Sequence, residues 1–359
     1  MKHPKIRVAL VGCGRIAHVH AGYLRQVPEV EFVGACDLDA DARETFARRW
    51  QLPTYLDIDE LLAAGQPDAV HIVTPPSSHA PLAKQLLAAG VHVLVEKPMA
   101  LTAAEAAEMV AAAEAAGRHL TVDHNRWFDP VIIAARDLLA SGALGDITGV
   151  DVFQGAPLAE AAPDGGTRAG HWTTGLPGGS LYDSAPHPAY LLRGFIGSVS
   201  DVRVIARHTP SGAIEELRAV VAGEKALGTF TLCSRSQPIM NRVVVFGTRA
   251  TADVNLNNMT MIVRRNRKVP KIVGKVLPNL EEAAQLVVAT VVNGIEFIRG
   301  RQRFYPGMGV HFRQLYRALA AGEAPPVSAR EGQEVMQLLE EIWTAGQRPA
   351  GTNAAEAVG

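Results

Sequence analysis

Lys5-Ile6-Arg7-Val8-Ala9-Leu10-Val11-Gly12-Cys13-Gly14-Arg15-Ile16-Ala17 decides the fold. An apolar run leads into a glycine turn and then into a helix-like sequence. G-x-G-x-x-A directly after a strand is the dinucleotide-binding fingerprint. Gly12 permits the tight turn, and Gly14 leaves room for a pyrophosphate to approach the backbone. Ala17 is small enough for the helix to lie close on the strand, and the helix N-terminus then faces the phosphates. Arg15 and Ile16 sit in that turn and join the expected cofactor contacts. A second apolar run, Glu31-Phe32-Val33-Gly34-Ala35-Cys36, ends at Asp37, which lies 20 residues beyond Ala17. An acid there accepts hydrogen bonds from the adenosine ribose hydroxyls and repels a 2′-phosphate. Asp37 also fits a plainer role as a turn or cap residue in Asp37-Leu38-Asp39, but the glycine loop favours the ribose. NAD is therefore the expected cofactor, with NADP the alternative.

From residue 5 to about 122 the pattern alternates strand and helix, which implies a parallel sheet with helices on both faces. The expected strands are 5–11, 30–36, 69–73, 91–95 and 119–122. Asp57 with Glu60, and Thr102 with Glu105, have capping-box spacing at two helix starts. Two loops fall at the C-terminal ends of these strands, where open α/β sheets bind ligands. One is Val73-Thr74-Pro75-Pro76-Ser77-Ser78-His79; its prolines could also simply end a strand. The other is Glu96-Lys97-Pro98. A Lys there, its charge stabilised by Glu96, can polarise a hydroxyl or carbonyl, although the spacing alone fits a solvated surface lysine equally well.

After residue 122 the texture changes. Asp123-His124-Asn125-Arg126-Trp127-Phe128 is a polar and aromatic junction, followed by a helix over about 130–141. β-like runs at 146–154, 199–208, 215–222, 226–234, 241–247 and 251–256 lack alternating helices, so they read as an α+β domain with one largely antiparallel, open-faced sheet. The stretch from His171 and Trp172 to Gly178-Gly179-Ser180-Leu181-Tyr182-Asp183-Ser184-Ala185-Pro186-His187 should start a helix at its glycine pair. Asp183 and His187 share a face if that helix is regular, with Pro186 and Pro188 against regularity. Such a pair can be an ordinary capping or buried contact. Beside a nicotinamide it is an acid–base pair, the His taking a hydroxyl proton and the Asp holding the imidazole or a substrate hydroxyl.

Residues 260–305 form an odd segment. Nine Lys or Arg face three acids there, in a chain of net charge −1. An apolar helix is expected over about 280–298. A solvated basic loop is the default; a nucleotide-sugar pyrophosphate or a membrane surface is the sharper alternative, membrane contact not being favoured. Ser328 and Glu331 have capping-box spacing at the last helix. The expected domains are 1–122 for the dinucleotide, 123–346 for substrate and oligomerisation, and a disordered tail at 347–359.

Composition adds limits. The chain has 359 residues, 48% of them hydrophobic and 20% charged, enough for two domains with their own cores. The near-zero charge argues against general nucleic-acid binding. Cys13, Cys36 and Cys233 have neither disulfide nor metal spacing, so no metal site is expected and a reduced cytoplasmic setting is. The start, Met1-Lys2-His3-Pro4-Lys5, does not read as a signal peptide.

Together these motifs resemble the glucose–fructose oxidoreductase/inositol dehydrogenase (Gfo/Idh/MocA) family over about residues 4–345. The marks are Gly12 to Ala17, Thr74 to His79, Glu96-Lys97-Pro98, Asn125-Arg126-Trp127-Phe128, and Gly178 to Asp183 with His187. The resemblance implies a Rossmann domain with a parallel sheet, then an open-faced antiparallel sheet domain. It implies an NAD(P)-dependent dehydrogenase of a sugar, cyclitol or nucleotide sugar; the open face of the second domain's sheet separately predicts a homodimer or homotetramer formed through that face. By position, Lys97, Asp183 and His187 match the family's catalytic trio. Thr74, Pro75, His79 and Glu96 join Gly12, Gly14, Arg15, Ile16, Asp37 and Lys97 around the cofactor. Asn125, Arg126, Trp172 and Asp183 fall to the substrate. The Lys97–Pro98 bond is often cis in the family. Ala185 and Pro186 depart from its usual pattern and bear on how His187 is placed. A glycosidase or epimerase that retains NAD and oxidises its substrate transiently would use the same trio. A non-catalytic regulator on this fold would be expected to lack the Lys or the His.

Overall fold

The computed structural model describes residues 5–155, 173, 176, 179–210, 212–300 and 305–347. It divides into two compact units, 1–125 with 307–337, and 126–306 with 338–359.

In the first unit strands and helices alternate: β1 (Ile6–Val11), α1 (Arg15–Leu24), β2 (Val30–Cys36), α2 (Ala40–Trp50), β3 (Thr54–Tyr55), α3 (Ile58–Glu60), β4 (Ala69–Ile72), α4 (His79–Ala88), β5 (His92–Val95), α5 (Ala103–Ala116) and β6 (Leu120–Val122). The six strands form one parallel sheet in the order β3-β2-β1-β4-β5-β6. Strands covered on both faces must be apolar throughout, and Val8 to Leu10, Val70, Ile72 and Val93 to Val95 are accordingly buried. The order reverses between β1 and β4, and that reversal opens the ligand crevice at the strands' C-terminal ends. The short strand β3 has no periodicity to mark it in the sequence.

The expected domain boundary needs correction at the C-terminal side. Residues 307–337 belong to the first unit. Phe312, Leu315 and Tyr316 are buried there, and Thr121 Oγ1 donates to the Val327 carbonyl at 2.7 Å. An amphipathic helix in sequence shows that it has an apolar face, but not which sheet receives it.

The second unit holds α6 (Pro130–Ala140), β7 (Ile147–Gly155), α7 (Gly179–Ser184), α8 (Pro186–Ile196), β8 (Val199–His208), β9 (Ile214–Gly223), β10 (Leu227–Cys233), β11 (Asn241–Gly247), β12 (Ala250–Asn255), β13 (Thr260–Arg265) and α9 (Val273–Ile298); α10 (Pro306–Ala321) and α11 (Ala329–Gly346) follow. Its seven strands run β13-β12-β11-β7-β10-β9-β8, antiparallel except for the β7–β10 pair. Helix α8 packs on β7 and β10, and Leu192 fills the space beside Gly228. Ile205, Val220, Leu227 and Phe246 are exposed, as an open sheet face requires. Residues 260–265, which the charge run obscures, form the edge strand β13, and α9 begins at Val273, earlier than its apolar spacing suggests. No helix among the described residues is long and apolar enough to cross a membrane. Residues 348–359, the expected tail apart from Gln347, lie outside the described residues.

Candidate functional site

The glycine loop has the geometry its sequence requires. Gly12 has φ +107° and its N–H donates to the Cys36 carbonyl at 2.7 Å. A Cβ at Gly12 would stand 3.0 Å from the Val73 carbonyl oxygen. Gly14 starts α1 with no side-chain cap, and a Cβ there would meet nothing within 4 Å. The uncapped N–H groups of α1's first turn are therefore available to an anion. Arg15 is exposed, Ile16 half-buried and Ala17 fully packed.

Asp37 is anchored to this loop. Its Oδ2 accepts from the Cys13 N–H at 2.7 Å, and its Oδ1 accepts from the Asp39 N–H at 2.9 Å. A cavity of about 390 Å³ opens beside it, lined in part by Gly12, Asp37, Thr74 and Pro75. Leu38, Asp57, Ile58 and Leu82 also line it. The motifs place none of these four beside a cofactor. The signal for Leu38 is an apolar residue directly after Asp37, and it is 80% exposed. Asp57 does cap its helix, accepting from the Glu60 N–H at 2.9 Å, and also faces the cavity. Bare glycine backbone, a free helix N-terminus, an oriented acid and an adjoining cavity together fit a dinucleotide.

The two strand-end loops are tied together by His79. Its Nε2 lies 2.8 Å from the Thr74 carbonyl oxygen and its Nδ1 lies 3.0 Å from that of Pro98. Burial lowers its pKa against the pull of those carbonyls. His79 is fully buried, so it shapes the loops and does not line the cavity. Thr74 Oγ1 and Ser78 Oγ are 2.6 Å apart. Lys97–Pro98 is cis, and Lys97 is half-buried. Glu96 turns back so that its Oε2 accepts the Lys97 N–H at 3.0 Å.

Around Glu96 lies a set of buried polar residues drawn from α1, β4, α10 and the segment after β6. His20 Nε2 is 2.9 Å from Glu96 Oε1 and 3.7 Å from Asp123 Oδ2. His20 Nδ1 is 2.9 Å from His71 Nδ1, and His71 Nε2 is 2.6 Å from the Tyr316 hydroxyl. His311 Nδ1 is 3.0 Å from Asp123 Oδ1, and Asn125 Nδ2 is 3.4 Å from Asp123 Oδ2. Burial acts to raise the Glu96 pKa, but the hydrogen bond from His20 and the charge of Lys97 bring it below its ordinary value. Burial drives His71 well below its ordinary value, reinforced by His20 and His311. No sequence spacing marks a metal site, yet His20, Glu96 and Asp123 bring one ligand atom each within 4.8 Å of one another.

In the second unit the stretch that carries Asp183 and His187 is interrupted at Ala185, which itself keeps right-handed helical backbone angles. α7 ends at Ser184 and α8 starts at Pro186, because proline favours the first helical position and lacks the N–H a continuing helix would need. The two residues thus belong to different helices, both half-buried. His187 Nδ1 is 2.9 Å from the Tyr190 hydroxyl, which also accepts from the Arg126 N–H at 3.0 Å. Tyr190 was not marked by the sequence motifs; it lies three positions after the histidine, one turn on. The Arg136 guanidinium lies 4.4 Å over the Trp127 ring, which packs on Phe195. Trp172 lies outside the described residues.

A Rossmann unit whose second strand ends at an oriented acid, joined in one chain to a seven-stranded open sheet, defines a dinucleotide-binding class. Comparison with known proteins identifies the family. The model of the oxidoreductase family with NAD-binding Rossmann fold matches residues 6–124, and that of the GFO/IDH/MocA C-terminal domain matches residues 132–253. The chain belongs to the Gfo/Idh/MocA family. It is 27% identical over 350 residues to trans-1,2-dihydrobenzene-1,2-diol dehydrogenase of Mus musculus, covering 95% of this chain and 96% of that one. It is 35% identical over 162 residues to D-apiose dehydrogenase of Paraburkholderia graminis, a stretch covering 43% of each protein. In fold it is similar to the WlbA dehydrogenase from Bordetella pertussis in complex with NADH and UDP-GlcNAcA, with TM-score 0.75, 24% identity and 97% of each chain covered.

Proposed function

We propose that this protein is an NAD-dependent dehydrogenase acting on a secondary alcohol of a sugar, cyclitol or nucleotide sugar. The observation that carries the reading is the cavity beside the glycine loop with Asp37 held at its edge by the Cys13 N–H. When bound, the nicotinamide supplies the acceptor or donor of the hydride. Lys97, held next to Glu96, polarises the substrate oxygen. His187 exchanges the hydroxyl proton, and its link to Tyr190 orients the ring. Asp183 orients His187 or binds a substrate hydroxyl. The named activities of the relatives, on D-apiose and on a dihydrodiol, support a polyhydroxylated substrate.

The test is a panel of sugars, cyclitols and nucleotide sugars assayed with NAD and with NADP, following absorbance of the reduced cofactor. Turnover on at least one, faster with NAD, is the expected result. Asp37→Ala should weaken NAD and relax discrimination against NADP; a wild-type enzyme that strongly prefers NADP overturns the ribose assignment. Tightly co-purifying NAD with no net reduction would favour the cofactor-retaining glycosidase or epimerase.

The assembly we propose is a homodimer or homotetramer in a reducing, cytoplasmic compartment. Helix α9 has 26 residues and none is buried. It meets its own sheet with polar groups: Gln285 bonds both the N–H and the carbonyl of Val263, and Asn293 Nδ2 donates to the Met259 carbonyl. Its apolar residues, among them Val287 at 62% and Phe297 at 72% exposed, face outward. An interfacial helix on an anionic membrane carries Lys and Arg on its polar face. α9 has one Lys and three Glu, which favours a second protein copy over lipid. Light scattering at micromolar concentration should give an oligomer; a monomer refutes it.

A further inference from the structure

The dehydrogenase reading uses Glu96 and Lys97 but leaves His20, His71 and Tyr316 without a role. All three are fully buried, and their hydrogens can be assigned from the partners present. Among the described residues, the Tyr316 hydroxyl is within hydrogen-bond distance of one group, His71 Nε2. If His71 Nε2 carried the hydrogen, the tyrosine hydrogen would be buried with no acceptor, which is costly. So Tyr316 donates to His71 Nε2. A neutral His71 then carries its hydrogen on Nδ1 and donates to His20 Nδ1. With His20 Nδ1 accepting, its ring hydrogen lies on Nε2, aimed at Glu96 Oε1. The reverse order would also set a bare nitrogen lone pair of His20 against the carboxylate.

We infer that Tyr316, His71 and His20 are positioning residues: a one-way train of hydrogen bonds that fixes the Nε2–H tautomer of His20 and so holds Glu96 as an oriented acceptor for the Lys97 amide. Each ring nitrogen's state is set by the bond the other nitrogen makes. The train runs from Tyr316 on α10 through β4 and α1 to the end of β5, so helix α10 reaches the Lys97 loop through three side chains. The charged and titratable groups around Glu96 are His20 from α1, His71 from β4, His79 from α4, Asp123 after β6, His311 from α10, and Lys97 itself. Donor and acceptor pairing accounts for His20, Glu96 and Asp123 without a cation.

The proposal rests on the dehydrogenase reading for its consequence but not for its geometry, so the first test needs no substrate. Long-range 1H–15N spectra of the full-length protein with labelled histidine should show His20 as the Nε2–H and His71 as the Nδ1–H tautomer. Finding His71 as Nε2–H, His20 as Nδ1–H, or a stoichiometric bound metal by elemental analysis overturns it. The second test uses His20→Gln and His20→Leu on a substrate found in the panel. Gln keeps a donor near the Nε2 position, so kcat should stay within about threefold of wild type. Leu removes the donor and leaves burial to raise the Glu96 carboxyl. The acid limb of the kcat profile should then move to higher pH and kcat should fall about tenfold or more, with NAD affinity nearly unchanged. Equal losses in the two variants with an unmoved acid limb overturn the positioning role.

Discussion

Two regions of the molecule gather charged and polar side chains, and they do so in opposite ways. In the first unit His20, His71, Glu96, Asp123, His311 and Tyr316 come from positions almost 300 residues apart and are buried. In the second, Arg242, Asp253, Arg264, Arg267, Glu281 and Glu282 form ion pairs around β13 and α9, largely in reach of water. The crowded region is conspicuous in sequence, while the scattered one is not. Burial, not density along the chain, decides what such groups are worth: an unpaired polar group costs far more in a dry interior than at a wet surface. The buried set should therefore govern chemistry and acid stability, and the exposed set should contribute only modestly.

The largest effect expected is at the edge of the buried set. Lys97→Ala should lower turnover by about 10²–10⁴-fold, the range for a positioned general acid–base group, while NAD binding stays nearly intact. Single-turnover kinetics beside NAD titration separates the two. A variant that keeps most of its activity would break the comparison at its strongest point, since Lys97 would then be a surface lysine.

His187→Ala should be comparable or somewhat milder and should flatten the pH profile. Tyr190→Phe removes the hydroxyl 2.9 Å from His187 Nδ1 and should lower kcat by about tenfold, less than loss of the base itself. An active His187→Ala enzyme with an unchanged profile would move proton transfer to Lys97 or another group.

Acid stability sharpens the contrast without needing a substrate. His71 is held neutral by burial, below its ordinary value of 6.5. Below about pH 6.5 the unfolded chain takes up a proton that the fold refuses, so stability falls as pH falls. His79 shifts in the same direction, and His92 is lowered to about 4, chiefly by burial. Glu96, lowered from 4.5, adds its loss only below that value. Denaturant unfolding at pH 7.5 and pH 5 should show a clear decline, and His71→Leu should reduce the slope even though it lowers stability overall. A flat profile between those pH values would mean that the buried histidines are not held neutral.

Much of this architecture is legible in sequence for a definite reason. Parallel strands covered on both faces must be continuous apolar runs, so β1, β2, β4, β5 and β6 announce themselves within a residue or so of their ends. The glycine loop is legible because close backbone approach demands a particular residue type, and Asp37 because it follows directly on the second apolar run, where its carboxylate accepts the Cys13 N–H. Capping boxes are local, and Ser328 with Glu331 is observed in reciprocal form: each backbone N–H donates to the other's side chain. What was not legible depends on distant partners. The return of 307–337 to the first unit, and with it the Tyr316–His71 contact, joins positions 245 residues apart. β13 was hidden because Arg264 and Arg265 end it, and charge there reads as loop. The break between Asp183 and His187 was signalled by Pro186, but whether proline bends or starts a helix depends on the packing around it.

The smallest effect should come from the basic run, and it decides what that run is for. Arg264 bonds Glu282 with two nitrogens and reaches Asp253 at 2.6 Å; Arg267 reaches Glu281 at 2.8 Å. The arginines thus staple α9 to its own sheet and are partly neutralised where they stand. Asp253 is 6% exposed and is shared with Arg242, so Arg264→Ala leaves that carboxylate one partner. A loss of about 1 kcal/mol is expected, and less than that for Arg267→Ala, whose pair is more exposed. Arg265→Ala and Lys268→Ala, for which no such staple is seen among the described residues, should change stability by less than about 0.5 kcal/mol. Chemical denaturation of the four variants gives this ranking. The same variants should leave binding to anionic vesicles and the Michaelis constants for nucleotide sugars unchanged. Sedimentation with anionic vesicles that is lost on neutralising all four would return the run to a membrane role. Raised Michaelis constants confined to nucleotide sugars would return it to a pyrophosphate, and either result would end its reading as a surface staple.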